Sequence, residues 1–580
     1  MIKYFLKNKL HLTALIVLST CVFVNAQVID VDYADKEFMH ASDDDMQWWL
    51  NAHFGVFMHW GPASFTEKGI SWGRFGPRPG HSSKHATKGT PAEEYDNLYK
   101  KFNPVKFDAK EWVQMIKDAG AKYFIFTAKH HDGFCMFDSK YTDYDIMSTP
   151  FKRDVCKELA EECHKQGIKL FWYYSQPDWH HPLYLTDKHD EYIEYLHNQI
   201  RELCTNYGEL GGIWFDGLGK HPDNWDAENL IKMIRELQPK AIINPRFARK
   251  TWHWGDFDTP EQTIGAFQID RPWETCMTMG GPWSWGGKDR NDTKSADYCT
   301  RVLINCAGGG GNLALNTGPS PEGEIFPQDI ENYLQMGKWL EKYGESIYGT
   351  RGGPYKPGPW GVSARKDNKI YLHIMQNWPG GELKLPALPA KILNAKALAG
   401  GKVDFSQNDD ELTIKLSPDF HKKVSTVIVL ELDKNALDIT VIESSKKSLT
   451  VGQTPIFSSE DKKFKASHAF ASVMDDFEEG AYHKSHWRPS SKDSNPWIGV
   501  SFEKSKTFQN IVIKERKTDL VNKFIIEIKQ EGGNWKEIYD GTWLGEFSLL
   551  LEKPVTAKEV RIVFGGSRQK PFGISSIDIY

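Results

Sequence analysis

The stretch "KYFIFTAKHH" (Lys122–His131) is apolar on both faces and ends in polar residues. It is followed by the amphipathic "DVCKELAEECHKQG" (Asp154–Gly167) and then by a second two-sided apolar run, "GIKLFWYYS" (Gly167–Ser175). A strand that is apolar on both faces is buried on both, and strands of this kind alternating with helices form a parallel sheet covered by helices. The pattern repeats outward. "HFGVFMHWG" (53–61) precedes it, and "GGIWFDG" (211–217) and "AIINPR" (241–246) follow, separated by "FDAKEWVQMIKDAG", "DEYIEYLHNQIRELCTNYG" and "AENLIKMIRELQP". So many units between about residues 50 and 350 predict a (β/α)8-like barrel rather than an open sheet. No GxGxxG follows the first strand, which disfavours a dinucleotide site.

The 580 residues exceed one core and predict several domains. After about residue 350 the pattern changes to short alternating segments, "KIYLHIM", "ELTIKL" and "STVIVLEL", which predict an antiparallel β-sandwich. A Ser/Lys-rich stretch near 443–465 precedes a second all-β region with "WIGVSFEKSKTFQNIVIKE", "KFIIEIKQ" and "AKEVRIVFG". The expected division is a leader over 1–26, a catalytic barrel over 27–350, a sandwich over 351–440 and a C-terminal β domain over 450–580. The leader reading rests on the basic residues Lys3, Lys7 and Lys9, a short apolar run and the small-residue end "VNA". It predicts export to the periplasm or beyond, without a membrane span.

The formal charge is −5, and loss of the three leader lysines makes it −8. That argues against nucleic acid and for a neutral partner. The 21 Trp residues fit either sugar stacking or barrel filling, and Trp60, Trp72, Trp179, Trp252, Trp254, Trp283 and Trp285 stand in loop-like contexts. Eight cysteines without a CxxC pair give neither a zinc signature nor a disulfide framework.

Parallel barrels carry their chemistry at the C-terminal ends of the strands. Those ends collect His59 and Trp60, His130 and His131, Tyr173 and Tyr174, Asp216, and Arg246. Glycoside hydrolysis with retention needs a second carboxyl group about 5–5.5 Å from the first. "GDFDTPEQTIG" supplies Asp256, Asp258 and Glu261, and "DRPWETCMTMG" supplies Asp270 and Glu274, on a long excursion expected to fold over the mouth. A metal hydrolase is the competing chemistry. However, His53 and His59 would stand about 20 Å apart on a strand, and adjacent His130 and His131 would point to opposite faces unless the strand breaks there. Neither metal nor cofactor is expected.

"FGVFMHWG", "AKYFIFTAKHHDGFCMFDS", "IKLFWYYSQPDW", "WFDG", "TPEQ" and "GGNLALNTGPSPEGEI" together resemble the family 29 glycoside hydrolases, the retaining α-L-fucosidases, over roughly residues 40–435. The resemblance implies hydrolysis of terminal α-L-fucose through a covalent fucosyl-enzyme. It implies Asp216 as nucleophile and Glu261 as acid/base, with Glu274 as the alternative. It also implies His59, His130, His131 and Trp72 at the sugar, Trp285 at its methyl group, and Arg249, or else Arg246, beside the nucleophile; Tyr174 is expected at the sugar from its strand-end place. Ser71 stands where the family usually has Glu. The tail resembles a discoidin-like (F5/8 type C) jelly roll, with Asp475 or Asp476 and Trp487 in its opening pattern, and implies a possible sugar ligand. A lectin-like protein without catalysis is the reading from another class.

Overall fold

The structure is a computed structural model that describes residues 36–580, except 82–87, 218–224, 247–253, 265–266, 376–380, 445–446, 471–485, 517–520, 543 and 568–571. The expected leader, Arg249, Trp252, Asp475 and Asp476 therefore lie outside the described residues.

Seven parallel strands form one curled sheet: β1 (Phe54–Met58), β2 (Tyr123–Lys129), β3 (Lys169–Tyr174), β4 (Gly212–Phe215), β5 (Ile242–Ile243), β6 (Glu274–Thr278) and β7 (Asn312–Thr317). Their order is β5-β4-β3-β2-β1-β7-β6. Residues 256–262 fill the place between β5 and β6. Asp256 N donates to Ile243 O at 2.7 Å, and single bridges pair Asp258 with Trp273 and Glu261 with Cys276. This segment makes an irregular eighth stave. Pro260 and Pro272 have no N–H for the ladder, so pairing here is intermittent. The expected excursion over the mouth is thus corrected: both acid-bearing stretches build the barrel wall.

Local chemistry starts and stops the covering helices. Asp154 caps Val155–Gln166 by accepting from Lys157 N, and Gly167, at φ 75°, ends it in the left-handed region that glycine tolerates. Asp108 caps Ala109–Asp118 in the same way. At Gly212 a side chain could not be accommodated, since a Cβ would sit 2.3 Å from Ile242 O and from the Phe171 ring. Phe57, Tyr123, Ile125, Phe171, Tyr173, Trp214 and Cys276 fill the barrel. Helix Asp43–Ala52 closes its base, with Trp49 against Phe257 at 4.7 Å. Most of the described tryptophans are buried. Trp60 and Trp254, which looked loop-like, are buried, and Trp60 Nε1 donates to Ser320 O at 2.8 Å.

A five-stranded antiparallel sheet including Gly361–Lys366, Lys369–Ile374, Thr426–Leu432 and Ile392–Ala397 follows the barrel, with a three-stranded partner sheet. The tail is another antiparallel sheet centred on Trp497–Glu515 paired with Glu546–Ser567. Trp487 lies in the tail's core and donates to Ser459 O at 2.9 Å. The seven cysteines from Cys135 to Cys306 are buried, and no disulfide joins them.

Candidate active site

Strand β4 ends at Phe215, and Asp216 emerges from it at the C-terminal rim. Asp216 does not serve as a turn former alone. Its Oδ2 accepts from Tyr173 OH at 2.9 Å and faces His131 Nε2 at 3.7 Å, while its Oδ1 lies 3.6 Å from Arg246 Nη1. The same Arg246 Nη1 donates to Glu261 Oε2 at 3.2 Å. Arg246 is itself fixed by Nε to Thr259 Oγ1 at 2.8 Å and Nη2 to Thr259 O at 2.9 Å. One guanidinium nitrogen therefore lies between two carboxylates from different staves, which places their oxygens no more than about 7 Å apart. The Asp216 and Glu261 side chains keep 17% and 37% of their surface exposed, so both face the opening.

The imidazoles are held neutral. Burial lowers His59 to about 3 and holds His130 and His131 well below the usual imidazole range. The hydrogen-bond partners assign two of the tautomers. Asn316 Nδ2 donates to Trp283 O, so its Oδ1 can only accept from His59 Nδ1–H, at 2.6 Å. Ser175 spends its hydrogen on Pro177 O, so it accepts from His131 Nδ1–H at 2.5 Å. Both rings are left with a bare Nε2 lone pair. His131 Nε2 is buried without a hydrogen-bond partner, 3.7 Å from an Asp216 oxygen that already accepts from Tyr173 OH, so its lone pair is open to a donor that enters the mouth.

His130 and His131 reach the same site because β2 ends at Lys129 and the chain turns there, with Gly133 N bonded to His130 O at 2.9 Å. The strict alternation expected of a strand no longer applies, and the two rings lie 4.1 Å apart. Ser71 is buried in the left-handed region, at φ 57°. Its Oγ sits 2.6 Å from His130 Nδ1 and accepts from Asp132 N at 2.8 Å. Trp72 meets His131 edge-on at 5.6 Å and Trp179 at 5.3 Å, and the Arg78 guanidinium covers both indoles.

The structure corrects Tyr174 and places the other expected residues that are described. Tyr174 turns away from the mouth to donate to Gln199 Oε1 at 2.8 Å, and Tyr173 takes the inward place. Trp283, rather than Trp285, packs against His59, at 4.9 Å, while Trp285 packs on Phe326. Arg246, the less favoured arginine, stands beside Asp216. Glu274 opens β6 at the base of the barrel. It is wholly buried, accepts from Tyr123 OH at 2.5 Å and Trp214 Nε1 at 3.2 Å, and is pushed up to about 7 by burial. It does not reach the mouth, so the alternative acid/base reading of Glu274 is corrected. Asp256 is tied down too, accepting from Ala41 N, Ile243 N and Arg235. Asn316, Ser175 and Asp132 lie inside the stretches quoted above but were given no role there, and Tyr95, which accepts from Ser71 N at 2.7 Å and donates to Asp132 Oδ2 at 2.6 Å, lies in none of them.

Paired carboxylates, neutral imidazoles and indoles at the rim of a parallel barrel define a carbohydrate-active enzyme of the glycoside hydrolase kind. The chain belongs to the alpha-L-fucosidase family, whose pattern matches residues 22–345, and residues 458–578 match the F5/8 type C domain. Human plasma alpha-L-fucosidase is 29% identical over 377 residues, covering 60% of this chain and 79% of that protein. Among solved structures, alpha-L-fucosidase isoenzyme 1 from Paenibacillus thiaminolyticus is 33% identical with a TM-score of 0.60, covering 67% of this chain and 99% of that one. An alpha-L-fucosidase GH29 from Bacteroides thetaiotaomicron, trapped as a covalent intermediate with 2-fluoro-fucosyl fluoride, is 25% identical with a TM-score of 0.62, covering 69% and 99%. The protein is an alpha-L-fucosidase, a glycoside hydrolase with a discoidin-like tail.

Proposed function

We propose that the enzyme removes terminal α-L-fucose from oligosaccharides or glycoconjugates with retention, Asp216 acting as nucleophile and Glu261 as acid/base. The observation that carries this reading is the Arg246 nitrogen shared by the two carboxylates. It supports a separation nearer the retaining spacing of about 5–5.5 Å than the wider inverting one. Asp216 attacks the anomeric carbon while Glu261 gives its proton to the departing oxygen; Glu261 then takes a proton from water, which cleaves the ester. The bare Nε2 atoms of His59 and His131 accept from sugar hydroxyls, His130 stands beside them, and Trp72 and Trp283 supply apolar walls. Arg246 and Tyr173 keep Asp216 in place. The leader sequence supports export, and the tail supports a sugar ligand of its own.

Proton NMR of 4-nitrophenyl α-L-fucoside during hydrolysis tests the stereochemistry: α-fucose should appear first. β-Fucose as the first product would overturn the double displacement. A panel of fucosylated oligosaccharides of defined linkage would then name the bond cleaved.

A further inference from the structure

Glu274 takes no part in the chemistry proposed above, yet it is bonded to the ring on which that chemistry stands. Its Oε1 accepts from Trp214 Nε1 at 3.2 Å and its Oε2 from Tyr123 OH at 2.5 Å. Above the carboxyl, the Trp214 indole carries two groups. Tyr173 stacks on it with centroids 5.5 Å apart and planes 22° from parallel, and the Arg246 guanidinium carbon lies 4.7 Å from the ring centroid. These two residues hold the carboxylate pair. Tyr173 OH donates to Asp216 at 2.9 Å, and Arg246 Nη1 reaches both Asp216 and Glu261.

Phe57 also meets the indole, edge-on at 5.4 Å. Its N–H is its one polar handle, and the bond to Glu274 is a directional contact on a ring otherwise held by packing on Tyr173, Phe57 and Arg246. An ionised carboxylate is an acceptor at both oxygens, which matches the two donors that converge on it. Removing it leaves an indole N–H and a phenol hydroxyl buried without an acceptor. The ring can then tilt, and it takes Tyr173 and Arg246 with it. Catalysis is sensitive to such displacement, since a shift of about 1 Å at the reacting groups costs on the order of 100-fold in rate.

We propose that Glu274 is a positioning residue for the catalytic carboxylates, acting through Trp214 on Tyr173 and Arg246. The inference rests on the assignment of Asp216 and Glu261 made above. It deepens that assignment by giving the barrel base a part in setting the geometry of its mouth.

The test uses the full-length enzyme with Glu274→Leu, Glu274→Gln, Trp214→Phe and the double variant Glu274→Leu/Trp214→Phe. kcat and KM on 4-nitrophenyl α-L-fucoside are normalised to the folded fraction by near-UV circular dichroism. Glu274→Leu should lower kcat about 100-fold, with KM within about threefold of the parent. Glu274→Gln keeps an oxygen for the indole N–H and should recover most of that loss. Trp214→Phe should match Glu274→Leu, and the double variant should be no worse than the poorer single one, because both cut the same link. Added azide should restore none of them.

Additive losses in the double variant would overturn the inference, as would normalised kcat values equal to the parent's. Azide rescue at Glu274 would overturn it as well and would move the acid/base role to that residue. If Glu274→Leu does not fold, Glu274→Gln and Trp214→Phe decide the matter by the same kcat-against-KM split. Failure of the underlying assignment has a separate signature, an Asp216→Asn variant that still turns over.

Discussion

Glu261 and Glu274 stand on neighbouring staves of the same barrel wall, and their surroundings suit them to the opposite work proposed for them. Glu261 is partly open and shares a cation with Asp216, so it can exchange protons with a ligand and with water. Glu274 is closed in, and its two hydrogen bonds come from ring side chains of the core. A carboxyl group in a barrel becomes a reagent at the open end and a fixture at the closed end. Position along the strand decides this, not residue type.

The largest effect should come from the open end. Asp216→Asn removes the atom that forms the covalent bond while keeping the shape and the Tyr173 contact. Its kcat on an aryl fucoside should fall at least about 10⁴-fold, with fucose binding by calorimetry nearly unchanged. A variant retaining more than about 1% of the parent rate would remove Asp216 from the nucleophile role.

Glu261→Ala should be the next largest and should separate the two ends most sharply. An aryl leaving group departs without much protonation, but the second step still needs a base. Oligosaccharide hydrolysis should be lost, aryl fucoside hydrolysis slowed about 100-fold, and azide should restore turnover as fucosyl azide. Rescue at neither Glu261 nor Glu274 would point to Asp258, which pairs with Arg271 at 2.9 Å in the same segment.

Acid should act on stability through the neutral imidazoles. His59, lowered to about 3 by burial, binds no proton in the fold where the unfolded chain binds one near 6.5. Its contribution is complete above about pH 6.5 and is lost as pH falls toward 3; His130 and His131 act in the same direction. Glu274, raised to about 7, works the other way, favouring the fold as pH falls from 7 toward 4.5. Among these four groups, three lose stabilisation and one gains it as pH falls below 6.5, so the barrel site's own contribution falls. His59→Gln should flatten the slope of unfolding free energy by about 1.4 kcal/mol per pH unit. An unchanged slope in urea unfolding at pH 6 and 5 would show that His59 is protonated in the native state.

The barrel was legible because β1 to β4 are buried on both faces and read as unbroken apolar runs. The same feature hid which way their side chains point. With both faces apolar, nothing in "FWYY" distinguishes the inward Tyr173 from the outward Tyr174. The irregular stave and β6 looked like loops because Pro260 interrupts the one and Pro272 stands just before the other, and Glu274 therefore looked like a residue of the mouth. His130 and His131 were legible as a pair but not in their geometry, which depends on the strand ending one residue earlier. Ser71 was noted only as a departure from the family's Glu, and Ser175 and Asn316 drew no attention, because orienting a ring takes only a hydroxyl or an amide in the right place.

The smallest effect should come from the tail. Ser444 Oγ still donates to Lys356 O of the sandwich at 2.6 Å, whereas Leu449 N already donates to Ile579 O of the tail at 2.7 Å. The chain changes allegiance between these residues, so a truncation after Lys446 cuts few bonds. The tail does touch the sandwich, where Ser548 Oγ donates to Pro359 O at 2.7 Å and Leu550 packs against the sandwich core. Losing one partly buried leucine and one hydrogen bond costs on the order of 1–3 kcal/mol. In a protein of this size that corresponds to a melting temperature lower by only a few degrees. None of the residues assigned to the mouth lies beyond residue 316. The truncated enzyme should therefore keep kcat/KM on the aryl fucoside within about twofold of the parent. Insolubility, or a rate loss greater than about tenfold, would show that the sandwich cannot stand without the tail and that residues 447–580 belong to the catalytic unit.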